Sequence, residues 1–227
     1  MPKASKPFGR GVELEPNAVY HVEGRGDYYT DASGQIRHAE LSSAVERRNV
    51  FGMRNAMNPD LRDPLANATY TVDGDFHYTT DEWGRTKRLE IDSLENVSEY
   101  MTYRSNKLQA GIGKLGGSGY QGGHLGGSRF GGGPEEINVW PMRERINANH
   151  PNSFYRLEDY FAKNVGSVEK IVIDVKYNTT PDVAPGGSLS DLGPSNAGTP
   201  NPDRTPEEYI VQWKENDTAM PPKTFVN

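Results

Sequence analysis

The chain has 227 residues, enough to bury a sizeable core as one domain or as a domain with an appendage. It has no cysteine, which excludes a disulfide framework, thiolate metal sites and cysteine nucleophiles. A net charge of -6 argues against a protein that simply coats nucleic acid, and a mean hydropathy of -0.78 predicts long polar loops. No apolar run approaches the roughly 18 residues of a membrane-spanning helix, so no membrane insertion is expected. Residues Met-Pro-Lys-Ala-Ser-Lys-Pro at positions 1–7 are basic without an apolar stretch behind them, and no signal peptide is expected. Charge is uneven. Residues 96–165 hold eight Lys or Arg against six Asp or Glu, which makes this the segment most tolerant of a polyanion.

After a lead-in over residues 1–15 comes an internal repeat. Residues 17–43 match residues 67–93 at an offset of 50, with 11 of 27 positions identical and no gap, which is too regular for chance similarity of two loops. Each copy alternates and turns. Tyr20 and Val22, or Tyr70 and Val72, share one face, followed by turns at Gly24 or Gly74 and at Gly34 or Gly84. These are β-hairpin or meander units. Their aromatics pack across strands, or alternatively form a carbohydrate- or partner-binding surface. Between the copies, residues 44–66 predict a short helix and a linker that ends at Pro59 and Pro64. Residues 93–109 are compatible with helix or strand.

From Gly111 to Gly133, 12 of 23 residues are glycine. His124, Leu125, Arg129 and Phe130 punctuate the run, so plain flexibility explains it poorly. Glycine permits close backbone approach, and a ligand could come very near here. Residues 152–165 predict a helix with Asn152 or Ser153 as N-cap, an apolar stripe of Phe154, Leu157, Phe161 and Val165, and a stop at Gly166. Residues 168–177 are the clearest strand, with Ile171, Ile173, Val175 and Tyr177 on one face. Residues 178–206 predict a long, mobile loop. Strands are predicted at Glu207–Lys214 and Lys223–Val226. The fold class expected is α+β with an antiparallel sheet. Residues 1–66 form an N-terminal extension with the first repeat and the linker. Residues 67–227 form the main domain: the second repeat over 67–93, a core over 94–177, and a C-terminal loop and strands over 178–227.

Glu158 carries the strongest chemical signal. On a helix it falls about 40° from Phe154, within the apolar stripe. A carboxylate there costs several kcal/mol unless it is paired or bound to a metal. Arg129, Arg143 and Arg145 are candidate ion-pair partners; a metal is the alternative. His124 lies in Gly-Gly-His-Leu-Gly-Gly, where a phosphate could reach the ring, and an imidazole of ordinary pKa can deprotonate water at neutral pH. Asn138 and Asn147 offer neutral oxygens of the kind a hard cation such as Mg²⁺ takes, though such residues more often serve as caps or in loops. Rival signals are weaker. Gly111-Ile-Gly-Lys-Leu-Gly116 fits a dinucleotide-binding glycine pattern, but no clear strand precedes it and no helix is predicted after it. Gly113-Lys114 lacks the rest of a phosphate-binding loop. His124 and His150 without cysteines make no structural zinc site.

Gly123-His124-Leu125, Arg129-Phe130-Gly131-Gly132, Asn138-x-x-Pro141-Met142-x-x-x-x-Asn147 and Tyr155-x-x-Glu158 occur in that order. Together with the Tyr78–Arg85 turn and the closing Phe225-Val226-Asn227, this set resembles the DNA/RNA non-specific endonucleases of the ββα-metal (His-Me finger) group, in the branch found as bacterial toxin domains. The resemblance covers roughly residues 67–227. It implies a ββα-metal core behind the repeated hairpins and hydrolysis of DNA or RNA with Mg²⁺ or Mn²⁺. His124 is the implied general base and Asn147 the metal ligand. Glu158 is implied to hold the metal's water, and Asn138 to position the histidine loop or a phosphate oxygen. Arg129, Arg143 or Arg145 is implied to stabilise phosphoryl charge, with Tyr155 beside the substrate. It further implies a secreted or delivered effector acting in the target-cell cytoplasm, with a cognate immunity (inhibitor) protein. One departure is local. Many members carry an arginine or an acidic residue just before Gly-His, where this chain reads Tyr120-Gln121-Gly122, so His124 must be oriented from elsewhere and Arg129 is the candidate phosphate clamp. The contrasting expectations are a non-enzymatic binding module, with the glycine run as a linker, and a catalytically impaired relative.

Overall fold

The structure, a computed structural model, describes residues 12–97, 103–195 and 198–227. The start of the lead-in and residues 98–102 of the ambiguous 93–109 segment lie outside the described residues. The two copies of the repeat build six strands: β1 (Val19–Val22), β2 (Gly26–Thr30) and β3 (Ile36–Leu41), then β4 (Thr69–Val72), β5 (Phe76–Thr80) and β6 (Thr86–Ser93). The positions identical between copies are the ones that shape the chain. The Tyr20 and Tyr70 hydroxyls each accept a backbone N–H five residues upstream, at 2.7 Å. Thr30 and Thr80 each accept from the N–H twelve residues upstream. Asp31 and Asp81 each accept the N–H groups two and four residues on, which closes the turn that Gly34 and Gly84 complete at φ +76° and +78°. Tyr28, Tyr70 and Tyr78 are buried in the core.

All of these strands join one sheet, in the order β1-β2-β3-β4-β5-β6-β9-β10-β11. Here β9 is Val168–Lys176, β10 is Glu208–Glu215 and β11 is Thr218–Ala219; β12 (Lys223–Val226) also pairs with β10. Every pairing is antiparallel except β3 with β4, which joins the two copies in parallel. The apolar alternation of β9 and β10 is realised in full, with Ile171, Ile173, Val175, Tyr209, Val211 and Trp213 buried.

The helices are short: α1 (Ala44–Phe51), α2 (Pro59–Arg62), α3 (Asn106–Gly113), α4 (Glu144–Asn147) and α5 (Phe154–Lys163). Pro59 starts α2 instead of ending a helix. Asn58 caps it, and a proline at the first turn sacrifices no hydrogen bond. Ser153 caps α5 by accepting from Arg156 N–H, and Asn164 ends it, two residues before the expected Gly166 stop. None of the described helices is long and apolar enough to cross a membrane. The 178–206 segment is irregular yet tied down. Ser190 N–H donates to Asp63 and Gly186 N–H to Glu82, Trp83 donates to Val183 O, and Leu189 is fully buried.

A separate two-stranded ribbon, β7 (Tyr120–His124) and β8 (Val139–Arg143), carries the histidine. A buried carboxylate in the loop before β8 is one of its ties to the N-terminal half, beside Ile137 N–H to Leu61 O and the Arg62–Glu136 ion pair. Glu135 Oε1 accepts the Ala44 and Asn58 N–H groups at 2.7 and 3.0 Å, at the start of α1 and before α2. Burial pushes this carboxyl up to about 8. The folded protein therefore holds a proton that the unfolded chain releases above its ordinary value of 4.5. Stability from this group is present below pH 4.5 and is lost as pH rises through about 8. Glu135→Gln keeps the acceptor. Between pH 5 and 8, the window between its unfolded and folded values, it is expected to flatten a decline on the order of a few kcal/mol in unfolding free energy. Urea melts of both proteins across that range test this; parallel pH profiles would refute it.

Candidate active site

The glycines around His124 are contact points within the protein. A Cβ at Gly122 would collide with the Gln109 carbonyl of α3, and one at Gly113 would lie 2.8 Å from Gln121 Cα, so α3 presses its backbone onto β7. A Cβ at Gly123 would lie 2.7 Å from Asn147 Oδ1 and would also meet Met142. One at Gly127 would collide with Glu158 Oε1. The bare backbone thus lets two distant side chains, one from α4 and one from α5, descend on either side of His124 in the chain. Most of the space expected for a ligand is taken by the protein itself.

His124 closes β7 and is 7% exposed. Its Nε2 is buried without a hydrogen-bond partner, and so is Glu158 Oε1. Glu158 as a residue is half-buried, but that carboxylate oxygen is sealed from solvent. Burial pushes its carboxyl up to about 7, against the pull of Arg129 and Arg104. Burial pushes the His124 imidazole down to about 3, and the Arg104 charge adds to the depression. The ring is therefore neutral at physiological pH. Both buried groups feel the charge of Arg104. Its Nε donates to Ser128 Oγ at 2.8 Å. The sequence reading did not single out Arg104. It stands in no motif, and no residue spacing brings it to His124.

Arg129 acts on Glu158, whose carboxyl it pulls down. It faces Asp159 at 3.7 Å and sits 5.6 Å from the Tyr155 ring centroid. It makes no ion pair with Glu158 within 4 Å. Arg143 and Arg145 are exposed and turn elsewhere: Arg143 stacks over Tyr120 at 4.8 Å, and Arg145 donates to Val226 O at 3.2 Å, against the end of the chain. Asn138 is buried with all of its amide satisfied. It accepts from Gly126 N–H at 2.8 Å and donates to Gly126 O and Gly133 O at 2.9 and 2.8 Å, stapling the loop that follows His124. Asn147 Nδ2 donates to Gln121 Oε1 at 3.0 Å, which leaves its Oδ1 directed at Gly123.

Among the described residues no group of three or more His, Asp or Glu could hold a metal ion. An unpartnered buried carboxylate oxygen on Glu158 and the Asn147 Oδ1 are what the site offers. That donor set, one carboxylate and one neutral oxygen, fits a hard cation that keeps several waters and takes other ligands from a phosphate. With the single His124 imidazole and no thiolate beside it, the site falls short of the ligand set zinc usually takes.

A dry imidazole with a free nitrogen, a carboxylate and two guanidinium groups make a site suited to phosphoryl chemistry. The family described as DNA/RNA non-specific endonuclease matches residues 66–184, just over half of the chain, and the chain belongs to that family. It is a hydrolase of the nuclease class. The match includes β4–β6, the β7–β8 ribbon, α3–α5 and β9, and leaves out β1–β3 and β10–β12. Comparison with curated proteins found no match.

If Asn138 staples the histidine loop, Asn138→Ala strands one N–H and two carbonyls in the interior. It is expected to lower the unfolding free energy by roughly 2–4 kcal/mol. Urea denaturation measures this. Unchanged stability with lost activity would instead assign Asn138 to the substrate.

Proposed function

We propose that this protein is a divalent-metal-dependent endonuclease that hydrolyses DNA and RNA phosphodiester bonds without strong sequence preference. The observation that carries the reading is the pair of buried, unpartnered atoms, His124 Nε2 and Glu158 Oε1, within the segment shared with the family. Leaving two such groups unpaired costs stability, which a catalytic or binding role explains and a structural role does not. In this reading β7, β8 and the following helices α4 and α5 are the ββα-metal unit. Residues 67–227 are the nuclease domain, and residues 1–66 an extension derived from the same hairpin unit.

His124 Nε2 takes the proton from the attacking water. Without substrate its imidazole is a weak base, held down by burial and by Arg104. A phosphodiester seated beside it brings negative charge, which favours the imidazolium and strengthens the base when substrate is present. Arg129 and Arg104 hold the non-bridging oxygens and offset charge in the pentacoordinate transition state. Tyr155 supports Arg129 from below. Asn147 Oδ1 and Glu158 are the residues that would hold Mg²⁺ or Mn²⁺. When bound, such a cation supplies charge stabilisation at the phosphoryl and leaving oxygens. Contacts confined to the backbone of the nucleic acid carry no base readout, hence the lack of sequence preference. Products carry 5′-phosphate ends.

The resemblance to toxin domains supports a further part of the reading: a delivered effector acting in a target-cell cytoplasm and held in check by a cognate immunity protein. Growth arrest on cytosolic expression, relieved by His124→Ala, is the expected result; normal growth would count against it.

Plasmid DNA and RNA are expected to be cut with Mg²⁺ or Mn²⁺ and spared with EDTA. His124→Ala is expected to lower the rate by about 10²–10⁴-fold without a large change in melting temperature. Intact substrate with the unmodified protein across several divalent ions would overturn the enzyme reading.

A further inference from the structure

We propose that Gln121 is a positioning residue that sets which atom of Asn147 faces the metal. It rests on the nuclease reading above and adds a residue to that site. Gln121 occupies the stretch where many relatives place a charged residue, and its role does not depend on touching His124.

The geometry is local. Gln121 and Gly123 lie two apart on β7, and side chains two apart share a face of a strand. Asn147, the last residue of α4, meets both. Its Nδ2 donates to Gln121 Oε1 at 3.0 Å, and its Oδ1 lies over the bare backbone of Gly123, 2.7 Å from where a Cβ would stand. Among the described residues, Oδ1 has no hydrogen-bond donor. The backbone under Gln121 is itself fixed, because α3 packs directly on it through Gly113, and Gln109 Nε2 donates to Gly122 O at 3.1 Å.

A side-chain amide has two nearly isosteric ends, and its last torsion is broad and roughly two-fold. Only the oxygen can ligate a cation; the NH₂ end repels it. A hydrogen-bond acceptor at 121 engages the NH₂ end and so leaves the oxygen free. A donor at 121 would engage the oxygen and turn the NH₂ toward the ion. Partners that orient ligands in this way are worth about 10- to 100-fold in metal affinity.

The test uses the full chain and three variants of an exposed side chain. Gln121→Glu keeps only acceptors, Gln121→Leu removes the bond, and Gln121→Lys offers only donors. Two quantities are read: Mn²⁺ bound to the protein without substrate, by electron paramagnetic resonance, and the Mg²⁺ concentration that gives half-maximal plasmid cleavage. Gln121→Leu is expected to need about tenfold more metal by both measures, with the rate at saturating Mg²⁺ within a few-fold of the unmodified protein. Gln121→Glu should bind as the unmodified protein does or tighter, and Gln121→Lys should be the weakest. Adding Asn147→Asp to Gln121→Leu should restore most of the loss, because both oxygens of a carboxylate ligate. Unchanged metal requirement in Gln121→Leu, or equal loss in Gln121→Glu and Gln121→Leu, would overturn the proposal while the nuclease reading stands. Absence of metal-dependent cleavage by the unmodified protein would overturn both.

Discussion

The site depends on a steric permission: there is no side chain at Gly123 or Gly127. Asn147 Oδ1 and Glu158 Oε1 occupy the space that a β-carbon at those positions would fill. Any other residue at 127 would push the Glu158 carboxylate away from the histidine loop. The permission is steric and not conformational, since Gly127 has an ordinary φ of -58°. The same logic runs through Gly113 and Gly122, where α3 and β7 meet backbone to backbone. Glycine here is a means of shortening distances between packed elements.

Convergence also needs a rigid frame, because groups left dry and unpaired would otherwise relax into water or into each other. The ribbon is held from three sides. Asn138 binds the loop after His124 with three hydrogen bonds. Glu135 binds the starts of α1 and α2 to the same turn. Tyr209 of β10 and the terminal Asn227 both donate to Pro141 O on β8, at 2.7 Å each. The large sheet therefore serves less as a surface than as the wall against which the ribbon and α5 are braced. Phe161 packs edge-on against Trp213 and Phe154 against Phe225, which sets the height of α5 and with it the position of Glu158.

The repeat shows how one unit can be reused with a changed endpoint. Both copies close the same turn with Asp31 or Asp81. In the second copy the residue after the turn is Arg85, which lies between Trp83 and Tyr177, pairs with Asp81 and reaches two carbonyls of the C-terminal loop. The aligned residue of the first copy is Gln35, exposed. One substitution turns a surface turn into the anchor of a thirty-residue loop that the composition alone described as mobile.

Local patterns were legible without coordinates. Alternation marked β9 and β10; the cap and stripe marked α5; and the anomalous phase of Glu158 marked the carboxylate. These follow from neighbours within a few residues, where side-chain period and capping chemistry act directly. Motif order carried the family. Three things needed the tertiary structure. Arg104 reaches the site from a segment that no spacing rule connects to His124. Arg143 and Arg145, candidates by proximity in sequence, face the chain's end because β8 and α4 turn them there. The imidazole expected to titrate near its ordinary value is held at about 3, since burial is a property of the whole packed chain and not of its flanking glycines. The sequence by itself determined which residue types could do the chemistry and which elements bear them. Only the tertiary structure decided which of their atoms are sealed from water and which charges act on them, because long-range packing sets desolvation and charge proximity.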